Sequence, residues 1–196
     1  MEKACKKCRR EGDKLLLKGE RCLGPKCAMV KRPYIPGQHG PNSRTKLSEY
    51  GKQLREKQKA KRTYGVGETQ LKNYYALADR KQGNTAVNLI DILESRIDNV
   101  VFRSGLAVSR SAARQIVSHG HIKMNQRKVT IPSILLKPND KIVIKERIFK
   151  NIESFKLPAW IKADKNDFSI TVLRLPLREE ADININEKLI IEYYSR

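Results

Sequence analysis

Long apolar runs are missing from this 196-residue chain. No stretch approaches the roughly 18 to 20 apolar residues of a membrane-crossing helix, which excludes an integral membrane protein. The opening residues Met1-Glu2-Lys3-Ala4-Cys5 lack the apolar core of a signal peptide, so export is not expected. No lipidation motif is present that would tie the chain to an anionic membrane surface. Histidines number three and the carboxylates are scattered, which leaves no obvious catalytic site and no pocket chemistry for a small-molecule substrate. The chain is therefore not expected to be an enzyme. Acidic residues are also short: 21 Asp+Glu face 41 Lys+Arg, for a formal net charge of +20. Such an excess repels itself unless a polyanion neutralises it, and nucleic acid is the default partner. Hydrophobic residues at 39% and charged residues at 32% still describe a globular chain, long enough for one or two compact domains with a core.

The charge is unevenly spread. Residues 1–62 hold 19 Lys/Arg and 6 Asp/Glu, residues 63–162 hold 17 and 8, and residues 163–196 hold 5 and 7. A basic head beside a slightly acidic tail predicts different partners for the two ends, with protein contacts suited to the tail.

All four cysteines fall in the first 27 residues, as Cys5-x-x-Cys8 and, after a short arm, Cys22-Leu-Gly-Pro-Lys-Cys27. Two short-spaced pairs suit a tetrahedral zinc site with four thiolate ligands, each pair forming a knuckle and Gly24-Pro25 supplying a turn. Lys6, Lys7, Arg9, Arg10, Arg21 and Lys26 would offset the thiolate charge. Four thiolates leave no open coordination position, so such a zinc, one per chain, is structural. Free thiols, disulfides and an iron–sulfur cluster are the alternatives. Disulfides need an oxidising compartment, and the spacing matches no usual ferredoxin pattern.

Lys31 to Thr45 is rich in Pro and Gly and reads as an extended linker able to follow a phosphate backbone, with His39 as a loop residue. Ser48 to Arg62 reads as a helix whose basic run forms a phosphate-tracking face. Thr69 to Lys81 places Leu71, Tyr74, Tyr75 and Ala78 at helical spacing, and the two tyrosines at core positions. Thr85 then caps one longer helix with Leu89, Leu93, Ile97 and Val100 or Val101 inside, ending before Gly105. Ser109 caps a short helix, Arg110 to His119, closed by Gly120, with Ala112, Ala113, Ile116 and Val117 inward and Arg110, Arg114 and Ser118 outward. Two like charges one turn apart suit a place where phosphates lie beside them. Ile122-Lys123-Met124 and Arg127-Lys128-Val129 flank Asn125-Gln126 as a hairpin, and Pro138-Asn139-Asp140 turns into a strand at Lys141 to Lys145. Further strands are expected at Ser169 to Leu175 and Lys188 to Tyr194, and Trp160 is expected to anchor the core.

Several ordered motifs are together diagnostic. They include Cys8-Arg9-Arg10-Glu11-Gly12, Leu17-Lys18-Gly19-Glu20-Arg21-Cys22, Pro36-Gly37-Gln38-His39-Gly40 and Leu93-Glu94-Ser95-Arg96-Ile97-Asp98-Asn99-Val100-Val101. Val108-Ser109-Arg110, Ala113-Arg114-Gln115, His119-Gly120-His121-Ile122 and Ile191-Glu192-Tyr193-Tyr194-Ser195-Arg196 follow in the same order. By these the chain resembles, end to end, the family of the fourth protein of the bacterial small ribosomal subunit. The resemblance implies a structural ribosomal protein of the bacterial cytoplasm that binds small-subunit rRNA directly at a multi-helix junction. It also implies that the protein nucleates assembly of the subunit body, contributes to translational accuracy, contacts the neighbouring fifth small-subunit protein and lies near the mRNA entry channel. Residues from about 88 to 149 would be the family's RNA-binding module, and zinc would be held by Cys5, Cys8, Cys22 and Cys27. Two departures stand out: the residues before the first cysteine are few, and Asn125-Gln126 replaces the usual Asn-Gly. Gln tolerates positive φ poorly, which predicts a strained or remodelled turn.

The expected fold is thus α+β: a zinc-knuckle basic segment and linker at 1–41, a helical domain at 42–87 completed by 150–196, and an RNA-binding module at 88–149 with helices packed on an antiparallel sheet. RNA recognition would be by shape and phosphate geometry, through charge-assisted hydrogen bonds. The expected contacts in the head are Arg9, Arg10, Lys18, Arg21, Lys31, Arg32, Arg55, Lys57, Lys59, Lys61 and Arg62. In the module they are Arg96, Arg103, Ser109, Arg110, Arg114, Gln115, His119, His121 and Lys123. The rival readings are an RNA-modifying enzyme built on the same module, which would need a separate catalytic domain, and a zinc-bearing regulator that binds nucleic acid.

Overall fold

The computed structural model describes residues 3–42, 46–145, 157–164, 167–181 and 183–195. Its helices are α1 (Ala4–Glu11), α2 (Ala28–Lys31), α3 (Glu49–Tyr64), α4 (Glu68–Arg80), α5 (Thr85–Glu94), α6 (Ile97–Arg103), α7 (Arg110–Ser118) and α8 (Glu187–Tyr194). Its strands are β1 (Ile122–Met124), β2 (Arg127–Val129), β3 (Lys141–Ile144), β4 (Ile161–Asp164) and β5 (Ser169–Val172). The fold is α+β. The chain divides into two compact units, Met1–Ala86 with Asn184–Arg196, and Val87–Ile183. The basic segment at 1–41 therefore groups with the helices that follow it. Of the expected completing stretch 150–196, Asn184–Arg196 joins the first unit, whereas β4 and β5 belong to the second because they finish its sheet. Residues 150–156 of that stretch and 43–45 of the expected linker lie outside the described residues.

In the first unit, α3 starts at Ser48, whose hydroxyl accepts the Gly51 N–H at 3.2 Å, and stops at Gly65 in the left-handed region at φ 65°. Glu49 in its first turn and Lys61 and Arg62 in its last complement the helix dipole. In α4, Leu71, Tyr74 and Ala78 are buried, at the spacing that marks them in the sequence. Lys188 to Tyr194 is a helix, not the expected strand. A short apolar run such as Leu189-Ile190-Ile191 does not fix its own period, and packing decides. As a helix it buries Ile190, stacks Tyr194 on Tyr75 with ring centroids 4.9 Å apart, and lets Glu192 accept from Gln53 at 3.0 Å. The linker is not free: Arg9 Nε donates to the Tyr34 carbonyl at 2.8 Å and its guanidinium lies 4.7 Å from the centroid of the Tyr34 ring.

The second unit is a five-stranded antiparallel sheet, in the order β2-β1-β3-β5-β4, with helices on one face. Period-two alternation sends Ile122, Val129, Ile142, Ile144, Ile170 and Val172 to that face. There they meet Ile97, Val100 and Val101 of α6, Ala113 and Val117 of α7, and Trp160. Each fully buried aliphatic side chain contributes about 1.5–3 kcal/mol. Trp160, 1% exposed, is part of this core, as expected for an anchor. The expected single helix from Thr85 is two, broken at Ser95-Arg96. Arg96 is extended at φ −65°, ψ 139°, and the Ile97 N–H and Ser95 carbonyl pair with Ile134 and Leu136 at 2.9 Å. The loop thus satisfies backbone groups that a continuous helix would have satisfied internally. The N-cap of α5 is Asn84, whose side chain accepts the Ala86 N–H at 2.9 Å, rather than Thr85. The hairpin keeps its tight turn, with Asn125 at φ 46° and Gln126 at φ 71°. Asn125 is stitched to Asp140 and to Lys141, which holds the turn in place.

Candidate nucleic-acid interface

The basic residues separate into those the fold consumes and those it leaves available. On α3 almost every expected phosphate contact is already engaged. Arg55 and Arg62 donate to Glu11 at 3.3 and 2.6 Å, and the Glu11 side chain is 1% exposed. Burial raises the Glu11 carboxyl above its ordinary value, and Arg55, Arg62 and Arg10 pull against that rise. Lys59 reaches Asp13 at 2.7 Å, Lys61 reaches Glu68 at 2.9 Å and Lys57 reaches Glu68 at 2.5 Å. Lys57 also lies 4.3 Å from the centroid of the Tyr193 ring. Lys57 and Lys59 are buried, so the expected phosphate-tracking face of this helix is instead the seam on which the first unit assembles. Burial pushes the Glu68 carboxyl up, but hydrogen bonds from Lys57 and Lys61 outweigh it and hold the group below its ordinary value. Arg9 is tied to Tyr34 and Ile35. Arg10, Lys18, Arg21, Lys31 and Arg32 are exposed.

Cys5, Cys8, Cys22 and Cys27 are free thiols that line one small cavity of about 20 Å³, together with Lys18, Arg21, Lys26, Ala28 and Met29. That volume exceeds the ~10–15 Å³ a single water needs. The Lys18 N–H donates to Cys22 Sγ at 3.4 Å. The Cys8 thiol is pushed up by burial, opposed by a hydrogen bond from the Leu15 backbone and reinforced by Cys22, Cys5 and Cys27 as like charges. Among the described residues, no three His, Cys, Asp or Glu side chains are grouped as a metal-ligating set.

In the second unit two of the expected contacts are core residues. Arg96 is 0% exposed and grips Asp98 with two hydrogen bonds, at 3.0 and 2.7 Å. Arg103 grips Glu94 at 2.9 and 3.1 Å, both side chains being buried. Ser109 is buried too, its hydroxyl accepting the Ala112 N–H as N-cap of α7. At these three positions, where the sequence reading expects RNA contacts, the structure shows partners within the chain. Arg and Ser are surface types by default, but here each answers a buried acid or an orphan amide. The same network reaches the surface. Asn99 donates to the Glu94 carbonyl at 3.0 Å and to its carboxylate at 2.9 Å, which turns the Asn99 oxygen toward Arg110 Nε at 2.8 Å. The Arg110 guanidinium lies 4.6 Å from the centroid of the Phe102 ring. A cation in the first turn of a helix opposes the dipole, and Glu94 and Asn99 offset this while fixing the guanidinium plane.

Beyond Arg110, the outward side chains are Arg114, half-buried, and Gln115, exposed, on α7. His119 is exposed, its ring centroid 6.0 Å from that of half-buried His121. Lys123 is exposed on β1. Sequence reasoning passed over Lys128, Lys141 and Lys145, also exposed. Extending the period-two alternation through β2 and β3 would have put them on the same side as Lys123. Gly120, at φ 71°, closes α7, and a Cβ there would meet the Lys128 side chain at 2.4 Å.

Residues 1–94 match the family described as "Ribosomal protein S4/S9 N-terminal domain", and residues 95–142 match the "S4 domain". The chain is similar to small ribosomal subunit protein uS4 of Natranaerobius thermophilus, at 50% identity over 98% of this chain and 96% of that one. It is 53% identical to uS4 of Heliobacterium modesticaldum over 98% and 96%, and 51% identical to uS4 of Clostridioides difficile over 98% and 97%. The two matched regions cover 142 of the 196 residues and the relatives match nearly end to end, so the chain belongs to the uS4 family of small-ribosomal-subunit proteins.

Proposed function

We propose that this chain is a structural protein of the small ribosomal subunit and a direct binder of its rRNA. The observation that carries the reading is near-full-length membership of the uS4 family combined with available cationic side chains on the S4 domain. The contacts assigned to RNA are Arg10, Lys18, Arg21, Lys31 and Arg32 in the head, and Arg110, Arg114, Gln115, His119, His121 and Lys123 in the module. Arg110 is presented in a fixed plane suited to bidentate phosphate capture. RNA base edges are hidden in a deep, narrow groove, so a rigid set of donors reads phosphate spacing and 2′-hydroxyls. The role is structural and non-enzymatic, in the bacterial cytoplasm. No helix among the described residues is long and apolar enough to cross a membrane. Nucleation of subunit-body assembly, contact with the fifth small-subunit protein, a place near the mRNA entry channel and an influence on accuracy belong to the same reading.

We infer in addition that Cys5, Cys8, Cys22 and Cys27 hold one structural zinc. Four sulfur donors around one cavity, with no carboxylate or imidazole among its lining, are the donor set of a closed tetrahedral site. Zinc would stabilise the Cys8 thiolate that burial disfavours, and Lys18, Arg21 and Lys26 would balance the charge of the four sulfurs. Three measurements test the whole reading. The purified chain should bind junction rRNA with a log–log salt slope of roughly −0.7 to −0.9 for each phosphate contact, and should co-sediment with small subunits after a high-salt wash. Elemental analysis should find one zinc per chain, and a value well below one refutes the metal assignment without touching the RNA reading.

A further inference from the structure

The helix that carries the first cysteine pair is bolted to α3 by contacts that holding a metal does not itself require. Cys5, Cys8 and Glu11 are spaced by three along α1, a single helix of eight residues. Residues at that spacing are neighbours on a helix surface, so two thiols and a carboxylate follow one another along one short rod. Glu11 stands at the C-terminal end of α1, where the helix dipole disfavours an acid, and its side chain is 1% exposed. Both features oppose a carboxylate there, and both are offset from α3. Oε1 of Glu11 accepts from Arg55 at 3.3 Å and from Arg62 at 2.6 Å. Its other oxygen is buried without a hydrogen-bond partner among the described residues. The buried charge is therefore held through one oxygen, by two guanidinium groups of a different helix.

The attachment continues on both sides of Glu11. Arg62 also donates to the Lys7 carbonyl at 3.4 Å. Beyond the helix, Gly12 at φ 72° turns the chain, and the Asp13 N–H returns to the Cys8 carbonyl at 3.3 Å. The Asp13 carboxylate then pairs with Lys59 of α3 at 2.7 Å. Cys8 thus supplies a sulfur to the cluster and a backbone carbonyl to the turn that reaches α3. On the sulfur side, Cys22 and Cys27 line the same cavity as Cys5 and Cys8. Joining the four sulfurs would restrict rotation and tilt of α1, and those are the motions that would pull Glu11 away from Arg55 and Arg62.

We propose that α1 couples the cysteine cluster to α3, with Glu11 as the positioning residue: metal held at Cys5 and Cys8 tightens the grip of Glu11 on Arg55 and Arg62, and that grip raises metal affinity. The proposal rests on the zinc reading above and extends it, from a local knuckle to a brace for the first unit. A buried carboxylate with one unpartnered oxygen is either gripped or leaves uncompensated charges behind, so the contact has two states for the cluster to bias. Coupling free energy is reciprocal, so the effect of the grip on the metal and of the metal on the grip is one quantity, typically roughly 5- to 150-fold between protein sites.

The test uses the full-length chain and cobalt(II), whose visible absorption reports coordination by thiolates. In competition with a chromophoric chelator, Glu11→Gln should bind cobalt roughly 5- to 150-fold more weakly than the parent chain, with the thiolate absorption unchanged at saturation. Glu68→Gln releases Lys57 and Lys61 of α3 instead of Arg55 and Arg62, and should leave cobalt affinity unchanged. In the parent chain, stripping the metal at constant pH should lower the amide protection factors of residues 55–62 by a factor similar to the affinity loss. In Glu11→Gln the same treatment should no longer move them. The parent-chain comparison needs no variant and decides the matter even where Glu11→Gln fails to fold. Equal protection with and without metal, parental cobalt affinity in Glu11→Gln, or an equal loss in Glu68→Gln overturns the coupling and leaves the zinc reading intact. A parent chain that shows no thiolate-bound cobalt refutes the zinc reading, and the coupling falls with it.

Discussion

Replacing Glu94 tests the energetic heart of the second unit. Its side chain, 1% exposed, accepts two hydrogen bonds from Arg103 and one from Asn99, and lies 3.8 Å from Arg110 Nη2. Glu94→Gln keeps the shape and removes the charge, leaving the Arg103 side chain, 7% exposed, as a buried cation without its counter-ion. Breaking one member of such a pair costs about 3–5 kcal/mol, against a total of about 5–15 kcal/mol for a unit of this size. Replacing both partners, as Glu94→Met with Arg103→Met, removes both desolvation penalties. Asn99 would still hold the Glu94 backbone carbonyl, so the double variant should lose no more than about 2 kcal/mol. Trp160 is the sole tryptophan and sits in this core, so its fluorescence under urea reports the second unit alone. With a slope near ~1.5 kcal/mol/M, Glu94→Gln should lower the midpoint by about 2–3 M and the double variant by about 1.3 M or less. A single variant within about 1 kcal/mol of the parent, or a double variant as weak as the single, would falsify the claim that this ion pair is a buried and mutually dependent one.

The hairpin and the α3–α4 seam give two further tests. Gln126, at φ 71°, holds a conformation that costs an L-residue about 1–2 kcal/mol, so Gln126→Gly should stabilise the second unit by about 0.5–1 kcal/mol after the backbone-entropy penalty of glycine. A lower Trp160 urea midpoint in that variant would contradict the assigned turn. Glu68 binds its proton more weakly in the folded chain than in the unfolded one. Its stabilising effect is therefore full above the ordinary value of 4.5 and disappears as pH falls through the depressed one. The protection factors of the α3 amides, which are corrected for the intrinsic pH dependence of exchange, should fall on acidification in the parent chain and do so less in Glu68→Gln. Identical profiles would remove Glu68 from the seam.

Much of this was readable in advance, and the reasons for the exceptions are physical. Strong local periodicity carried α3, α4 and α7, and turn chemistry carried the hairpin and the Ser48 and Ser109 caps. Where long-range pairing overrode local preference, the reading failed. The break at Ser95-Arg96 depends on the loop at 134–136, some forty residues away, and α8 is a helix because α3 and α4 receive its apolar face. The same distinction governs the candidate site. The exposed residues Lys123, His119 and Gln115 are visible from amphipathic pattern. Nothing local announces that Arg96 answers Asp98, that Arg103 answers Glu94, or that Lys57 and Lys59 are buried. A sequence shows how many cations a chain has, and only the fold shows which carboxylates reach them.

Net charge alone is thus a poor guide to an RNA footprint, even at +20. Several acids among the described residues bind the chain's own cations: Glu11, Asp13 and Glu68 hold α3, while Glu94 and Asp98 hold α5 and α6. Each pairing removes a cation from the binding surface and at the same time stiffens the element that carries the unpaired ones. Arg110 shows the two effects in a single residue, since Asn99 and Glu94 restrict its side chain while aiming it. A cation oriented in this way loses less freedom when it captures a phosphate, so the buried acids of a basic protein can strengthen RNA recognition even as they lower its net charge.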